Sequence, residues 1–379
     1  MSLSNIILPG QMIGIIGGGQ LGRMMALAAK AQGFRIAVLD PTEDSPCGQV
    51  ADVKIVAEYH DMKAIQELAE VSNVITYEFE NIDAAALNWL CEHANVPQGK
   101  KLLEMTQNRI TEKKAIEKAG AEVAPYQVIE SMDDLQSSVE QLGYPCVLKT
   151  ATGGYDGKGQ LVLQYEEDLT KAEKLVQSNA CVLEKWISFE KEISVIVTRN
   201  PNGETVVFPV GENIHKDNIL HQTIVPARIH QEAEKKAIQL AKQLAEAFEL
   251  VGTLAVEMFL TEEGKIYINE LAPRPHNSGH YSIEACVTSQ FEQHIRAVCN
   301  WPLGSTELLK SAIMVNILGE HQEKVLDRIS KYPNWKIHLY GKEEAKIKRK
   351  MGHVTILHDS VEETLLEIDS SGIWEQTKI

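Results

Sequence analysis

Lys149-Thr150-Ala151-Thr152-Gly153-Gly154-Tyr155-Asp156-Gly157-Lys158-Gly159 joins the apolar run Cys146–Lys149 to the run Gln160–Gln164. Both runs read as strands, so the stretch is a strand–loop–strand flap. Four glycines fall between positions 153 and 159. Glycine admits the positive φ angles that turn successive N–H groups inward as an anion nest. Lys149 and Lys158 add full positive charge. A plain hairpin needs one or two glycines, and a Walker loop needs G-x-x-x-x-G-K-[ST] opening a helix. The stretch matches neither, and is closer to the glycine lid that closes over a nucleotide's phosphates in protein kinases.

Downstream, Leu254–Leu260 and Lys265–Leu271 read as a hairpin around Thr261-Glu262-Glu263-Gly264. Its pairing sets Glu257 nearly opposite Glu270. Alternation places Ala255, Glu257 and Phe259 on one face, and Ile266, Ile268 and Glu270 on one face of the partner strand. Opposed like charges on an apolar face are destabilising unless a cation lies between them. Mg²⁺, or Mn²⁺ in its place, accepts one or two carboxylates plus phosphate oxygens, and Asn269 offers a further oxygen.

The first third of the chain alternates between two periods. Met12–Ile16, Phe34–Leu39, Lys54–Val56 and Asn73–Tyr77 read as strands, with helices at Leu21–Gln32 and Met62–Glu70, which predicts a doubly wound parallel sheet. Gly17-Gly18-Gly19-Gln20-Leu21-Gly22 satisfies G-x-G-x-x-G after the first strand, and Asp40 ends the second. That pattern allows an NAD-dependent dehydrogenase, but a glycine turn at a helix N-terminus suits any phosphate. The middle of the chain is strand-rich: Cys181–Lys185, Ile193–Thr198 and Thr205–Val210 join the runs above, with one clear helix among them at Glu166–Gln177. Helices at Thr111–Ala119 and Gln231–Phe248 flank this antiparallel texture. After Trp301-Pro302 a smaller unit begins, with strands at Ala312–Leu318 and Val354–Leu357. The expected division is 1–110, 111–300 and 301–379.

Of the 379 residues, 44% are hydrophobic and 24% charged, ordinary for a globular chain. The net charge of −16 argues against nucleic acid, whose phosphates demand a basic face. No apolar run reaches membrane-spanning length, and there is no signal-peptide pattern. The six cysteines show no metal-type spacing, and the chain reads as cytoplasmic with reduced thiols.

Taken with Glu78-Phe79-Glu80-Asn81, Asn269-Glu270-Leu271-Ala272-Pro273-Arg274-Pro275-His276-Asn277-Ser278-Gly279-His280 and Arg349-Lys350-Met351-Gly352-His353, these motifs closely resemble the N5-carboxyaminoimidazole ribonucleotide synthase family. These are ATP-grasp carboxylases of purine synthesis, and the resemblance covers nearly the whole chain. It implies an ATP-grasp fold behind the parallel-sheet domain, a small C-terminal domain and a homodimer. Arg109 and Lys149 would then contact ATP phosphates under Gly153, Gly154, Tyr155, Asp156, Gly157, Lys158, Gly159 and Gln160. Glu184, Lys185, Trp186 and Ile187 would flank adenine, Glu192 the ribose and His215 the same pocket. Glu257 and Glu270 would hold Mg²⁺, with Asn269 beside them. Bicarbonate would sit by Arg274, His276, Asn277 and Ser278. Aminoimidazole ribonucleotide would lie against Gln20, Leu21, Glu78 or Glu80, Tyr155 and Asp156, its phosphate met by the N-terminal loop and by Lys342, Lys348 and Arg349. Lys158 stands where arginine is common, and Glu344–Lys348 lacks the Pro-Gly turn usual in that loop.

The implied reaction is bicarbonate attack on the γ-phosphate of ATP, giving carboxyphosphate, followed by transfer to the ribonucleotide amine. Arg274 and Lys342 would stabilise charge and Asp156 would take the amine proton. The alternatives are a formate-using ATP-grasp transformylase, the dehydrogenase above, and a silent nucleotide sensor.

Overall fold

The computed structural model describes residues 6–154 and 159–374. Tyr155, Asp156, Gly157 and Lys158, all named above as site residues, lie outside the described residues.

The N-terminal unit holds four parallel strands in the order Val53–Val56, Arg35–Asp40, Met12–Ile16, Val74–Tyr77. Every residue of Met12–Ile16 is buried, because helices cover both faces of a parallel sheet. On one face Ile65, Leu68, Leu87 and Leu90 pack beneath it. On the other, Leu21, Met25 and Ala29 of the helix Gln20–Ala31 meet Phe291, Ile295 and Val298. Those last three belong to the helix Gln290–Val298, so a distant segment completes the N-terminal core.

A small antiparallel sheet follows, ordered Tyr126–Ile129, Cys181–Lys185, Cys146–Thr150, Gln160–Leu163. Two helices cover it, where one was expected. Met132–Leu142 is the addition: Ser131 Oγ accepts from Asp134 N (3.1 Å), two aspartates occupy the first turn, and Leu135 and Val139 face the core. The expected Glu166–Gln177 helix divides into a 3₁₀ turn, Glu166–Asp168, and the helix Leu169–Ser178.

The large sheet has nine strands, all neighbours antiparallel. It runs from Ile266–Ala272 through Gly252–Leu260, Lys191–Arg199, Gly211–Lys216 and Ile219–Val225. Ala312–Leu318, Lys350–Leu357 and Lys336–Leu339 continue it, so the C-terminal strands extend the same sheet instead of building one of their own. Thr205–Val207 is shorter than expected and pairs at the margin, where Pro209 cannot donate to a ladder. The hairpin Gly211–Val225 escaped the sequence reading. Its turn, Asp217-Asn218, takes φ of 50° and 63°, the left-handed pair of a two-residue hairpin that Asp and Asn tolerate. No helix among the described residues is long and apolar enough to cross a membrane.

Candidate active site

Where the three parts meet lies a cleft of about 1210 Å³, lined by Gln20, Leu21, Glu78 and Glu80 from the first unit, Lys149, Gly153, Gly154, Gly159 and Gln160 from the flap, and residues of the large sheet. Single-ligand pockets usually span about 300–1000 Å³, so this one has room for two small molecules.

On the flap side Lys149, next to last in its strand, donates to Glu184 Oε2 (3.0 Å), while Lys113 Nζ stands 3.1 Å from Glu184 Oε1. Burial alone would favour a neutral Glu184, but the two ammonium groups win and bring its pKa down to about 2. Lys149 lines the cleft; Glu184 lies beneath it, and Lys185, Trp186 and Ile187 fall outside its lining. Arg109 opens the helix Arg109–Lys118, capped by Asn108 Oδ1, and reaches three places. Its N–H donates to Ala151 O (2.9 Å), Nη2 to Gly154 O (3.4 Å) and Nη1 to Glu270 Oε2 (3.3 Å). The arginine thus ties the base of the flap to the carboxylates. Glu192 and His215 line the far wall, with His215 Nδ1 2.6 Å from Glu192 Oε2. Burial disfavours the imidazolium, yet that carboxylate raises the His215 pKa above its usual value.

Glu257 pairs directly with Glu270, as expected, but the face assignment needs correction. A register shift follows Glu257, so Met258 opposes Ile268 and Asn269 is the extra residue of a bulge. Ile266 and Ile268 face the core with Met258, whereas Asn269 and Glu270 both line the cleft. Strict alternation cannot put two consecutive side chains on one face; the bulge does. Burial, and then the charge of Glu270, push the Glu257 pKa up to about 7. Hard oxygen donors in this arrangement fit Mg²⁺, which takes two carboxylates and completes its shell with phosphate and water. Among the described residues no group of three or more His, Cys, Asp or Glu side chains converges as a metal cage.

Beyond the hairpin, Arg274 Nε lies 2.9 Å from Glu80 Oε1. Ser194 Oγ donates to Ser278 Oγ (2.9 Å), which meets His276 Nδ1 (2.9 Å). The other ring nitrogen, Nε2, stands 3.3 Å from Glu257 Oε1. Burial holds the His276 pKa well below its usual value, so the ring is neutral, with Nε2 the nitrogen placed to donate. Asn277 lines the cleft, and its buried Oδ1 and Nδ2 have no partner among the described residues. Ser278 lies just behind it, 1% exposed.

The N-terminal loop departs from expectation. Glu78 Oε1 accepts from Gly19 N (2.5 Å) and Oε2 from Gly22 N (2.8 Å), while Asp40 Oδ2 accepts from Gly18 N (2.6 Å) and Tyr59 Oη (2.7 Å). The amides expected to meet a phosphate are already filled by carboxylates, and a second anion there would be repelled. The same contacts close the dinucleotide reading, because Asp40 is 8% exposed and committed. Gln20, Leu21 and Glu78 still line the cleft. Lys342, Lys346, Lys348, Arg349 and Lys350 line the same cleft and form its basic stretch. Lys348 pairs with Asp217 (2.9 Å) of the hairpin turn, and Lys342 donates to Lys350 O (2.7 Å).

Sequence reasoning missed Lys113 and Glu112, buried on the helix after Asn108, and Gln290 and His294. Glu112 accepts from Leu271 N (2.8 Å), and burial followed by the Glu270 charge pushes its pKa up to about 8. The spacing of four between Lys113 and Glu117 is that of an ordinary exposed helix pair, so the sequence pattern carries no sign that Lys113 is buried.

Three family models match in succession: a ribonucleotide synthetase preATP-grasp domain over 11–107, an ATP-grasp domain over 114–291 and a phosphoribosylaminoimidazole carboxylase C-terminal domain over 312–366. The N5-carboxyaminoimidazole ribonucleotide synthase of Bacillus subtilis is 56% identical over 96% of each chain. A solved ADP complex of such a synthetase superposes with a TM-score of 0.96, at 63% identity over 98% of this chain and 99% of that one. The Aspergillus clavatus enzyme, solved with ADP and 5-aminoimidazole ribonucleotide, gives 0.90 at 31% identity over 96% and 98%. With fold, cleft and sequence in agreement along its length, the chain belongs to the N5-carboxyaminoimidazole ribonucleotide synthase family of ATP-grasp ligases.

Proposed function

We propose that this protein carboxylates 5-aminoimidazole ribonucleotide to the N5-carboxy product with ATP and bicarbonate, acting in the cytoplasm as a homodimer. The observation that carries the reading is one cleft shared by Lys149, the opposed Glu257 and Glu270, the Asn277 carboxamide, without a partner among the described residues, and the basic stretch Lys342–Lys350. Lys149 and Arg109 bind the ATP phosphates at the flap, and Glu192 and His215 hold the sugar side. Glu257, Glu270 and Asn269 would hold Mg²⁺, which supplies charge neutralisation at the phosphates.

Bicarbonate rests between Arg274, His276 and Asn277. Its oxygen attacks the γ-phosphorus, the bond to the bridging β-oxygen breaks, and ADP leaves with the electron pair. His276 stays neutral and donates from Nε2, while Arg274 offsets the charge growing on the carboxyphosphate. The exocyclic amine of the ribonucleotide then attacks the carboxyl carbon, phosphate departs, and the amine loses a proton, a task that the resemblance to the family gives to Asp156. Lys342, Lys348 and Arg349 hold the ribonucleotide phosphate. Charge supports that assignment: Glu78 occupies the Gly19 and Gly22 amides of the N-terminal loop, whereas Lys342, Lys348 and Arg349 line the same cleft as cations.

ADP release is the test, measured with and without each of bicarbonate and aminoimidazole ribonucleotide. Release needing both supports the reading; release with formate in place of bicarbonate overturns it.

A further inference from the structure

The helix Gln290–Val298 has two faces with different tasks. One completes the N-terminal core through Phe291, Ile295 and Val298. The other carries Gln290 and His294, one turn apart and both without solvent exposure. Burying a carboxamide and an imidazole is unfavourable unless their polar atoms are paired. Here the pairing is directed at a single segment. Gln290 Oε1 accepts from His276 N (2.8 Å) and its Nε2 donates to His276 O (2.7 Å), so the amide and the peptide close a ring of two hydrogen bonds. The second amide hydrogen points to His280 Nδ1 (3.2 Å). A Cβ at Gly279 would collide with this carboxamide, so glycine there leaves the clamp its room.

His294 works on the other side. Thr253 N donates to His294 Nδ1 (3.1 Å), which puts the ring proton on Nε2, 2.7 Å from Thr76 Oγ1. Thr76 then donates to Gln98 Oε1 (2.5 Å), and Gln98 Nε2 donates to Pro273 O (3.3 Å). Pro273 and His276 bracket Arg274. One helix therefore grips both flanks of the segment that carries Arg274 and His276.

We propose that Gln290 is a positioning residue for the carboxylation: through the His276 peptide it holds Arg274 and His276 where bicarbonate and the phosphoryl group meet. This rests on the reading that residues 274–278 hold bicarbonate. Gln290 itself does not line the cleft. ATP is gripped elsewhere, by Lys149 on the small sheet, so a loosened 274–278 segment weakens bicarbonate use and spares ATP binding. A Gln290 with a merely structural role would weaken both together.

The experiment uses the full-length protein and the variants Gln290→Met, Gln290→Glu and Arg274→Ala, measuring ADP release against bicarbonate and against ATP. Gln290→Met keeps the volume and loses the hydrogen bonds; a misplacement near 1 Å costs up to about a hundredfold. The expected result is a rise in the bicarbonate KM of about tenfold or more, with the ATP KM within about twofold. Gln290→Glu adds a pH readout. Buried, its carboxyl favours the protonated form, which can accept from His276 N and donate to His276 O as the amide does. The titratable groups facing it are His276 and His280, with Arg274 and Lys350 the charged groups acting on both. Its kcat/KM for bicarbonate, as a ratio to wild type, rises as pH falls from about 8.5 to about 6.5.

An unchanged bicarbonate KM in Gln290→Met, or a flat ratio in Gln290→Glu, overturns the proposal when Arg274→Ala does raise that KM. If Arg274→Ala leaves it unmoved too, the bicarbonate assignment itself has failed. Should Gln290→Met not fold, the pH ratio of Gln290→Glu decides.

Discussion

Lys113 Nζ stands 3.1 Å from Glu184 Oε1 with only 2% of the lysine side chain exposed, and the opposite carboxylate oxygen accepts from Lys149. Of the two lysines, Lys149 reaches the cleft and Lys113 does not. Lys113 therefore answers part of the Glu184 charge and, on the proposed function, leaves Lys149 with positive field for an ATP phosphate. Without Lys113 the carboxylate would hold Lys149 alone.

Lys113→Met is accordingly expected to do two things. Breaking one arm of a buried ion pair costs about 3–5 kcal/mol of stability, read from denaturant unfolding. The ATP KM rises by about fivefold or more, since Lys149 is drawn toward Glu184, while the bicarbonate KM changes less. Equal rises in both constants would refute the division of labour between the two lysines.

Glu184 also sets an acid limit. Its pKa is lowered in the fold to about 2 by Lys149 and Lys113 acting against burial. A group lowered in the folded state stabilises above its unfolded pKa, near 4.3 for a glutamate, and loses that stabilisation as pH falls to the folded value. Unfolding free energy measured between about pH 5 and about pH 2.5 should fall less steeply in Glu184→Gln than in wild type, although the variant starts lower at pH 7. Parallel slopes would show that this carboxylate does not control acid stability.

The opposed pair Glu257 and Glu270 allows a trade to be measured. In Glu257→Gln one charge of a cross-strand like pair is gone, a relief worth about 0.2–1 kcal/mol. The variant should melt slightly higher than wild type in EDTA and gain less from added Mg²⁺. Its kcat for ADP release falls by about a hundredfold, because phosphate charge is no longer fully answered. A variant that keeps its Mg²⁺-dependent shift in melting would remove Glu257 from the metal site.

Much of the site was legible because its parts are local. Four glycines between two strands, or two glutamates across a short turn, announce themselves within a dozen residues. What was not legible depends on contacts distant in sequence. The bulge at Asn269 follows from how Gly252–Leu260 pairs across the hairpin, and alternation alone predicts the wrong face for Glu270. Gln290 meets His276 across a turn of chain that no periodicity describes, and Lys113 reaches Glu184 of the small sheet from the helix Arg109–Lys118. That the strands of the C-terminal domain extend the large sheet was not legible, because strand signals carry no information about which neighbour they will choose. They join Ile219–Val225, in a hairpin that the reading had passed over. The N-terminal glycines misled for a different reason: the motif shows that a helix N-terminus offers amides, but not which anion takes them. Here the anion is the protein's own Glu78.

That self-occupied anion site leads to a test. Glu78 accepts from Gly19 and Gly22 at the start of the helix Gln20–Ala31, where helix amides carry positive potential. Burial raises the Glu78 pKa, and those two N–H groups work against the rise. Glu78→Ala leaves both amides bare, at a cost of about 1–2 kcal/mol, comparable to losing an N-cap. The vacated turn becomes a site for free phosphate. Bound at about ten times its Kd, phosphate would return about 1.4 kcal/mol, seen as a melting shift of a few degrees. Wild type should gain only what the basic stretch Lys342–Lys350 provides, so the variant's shift exceeds it. Neither protein should respond to NADH. Equal phosphate shifts in the two proteins would mean that Glu78 does not guard these amides, and would reopen the N-terminal loop as the place where the ribonucleotide phosphate is held.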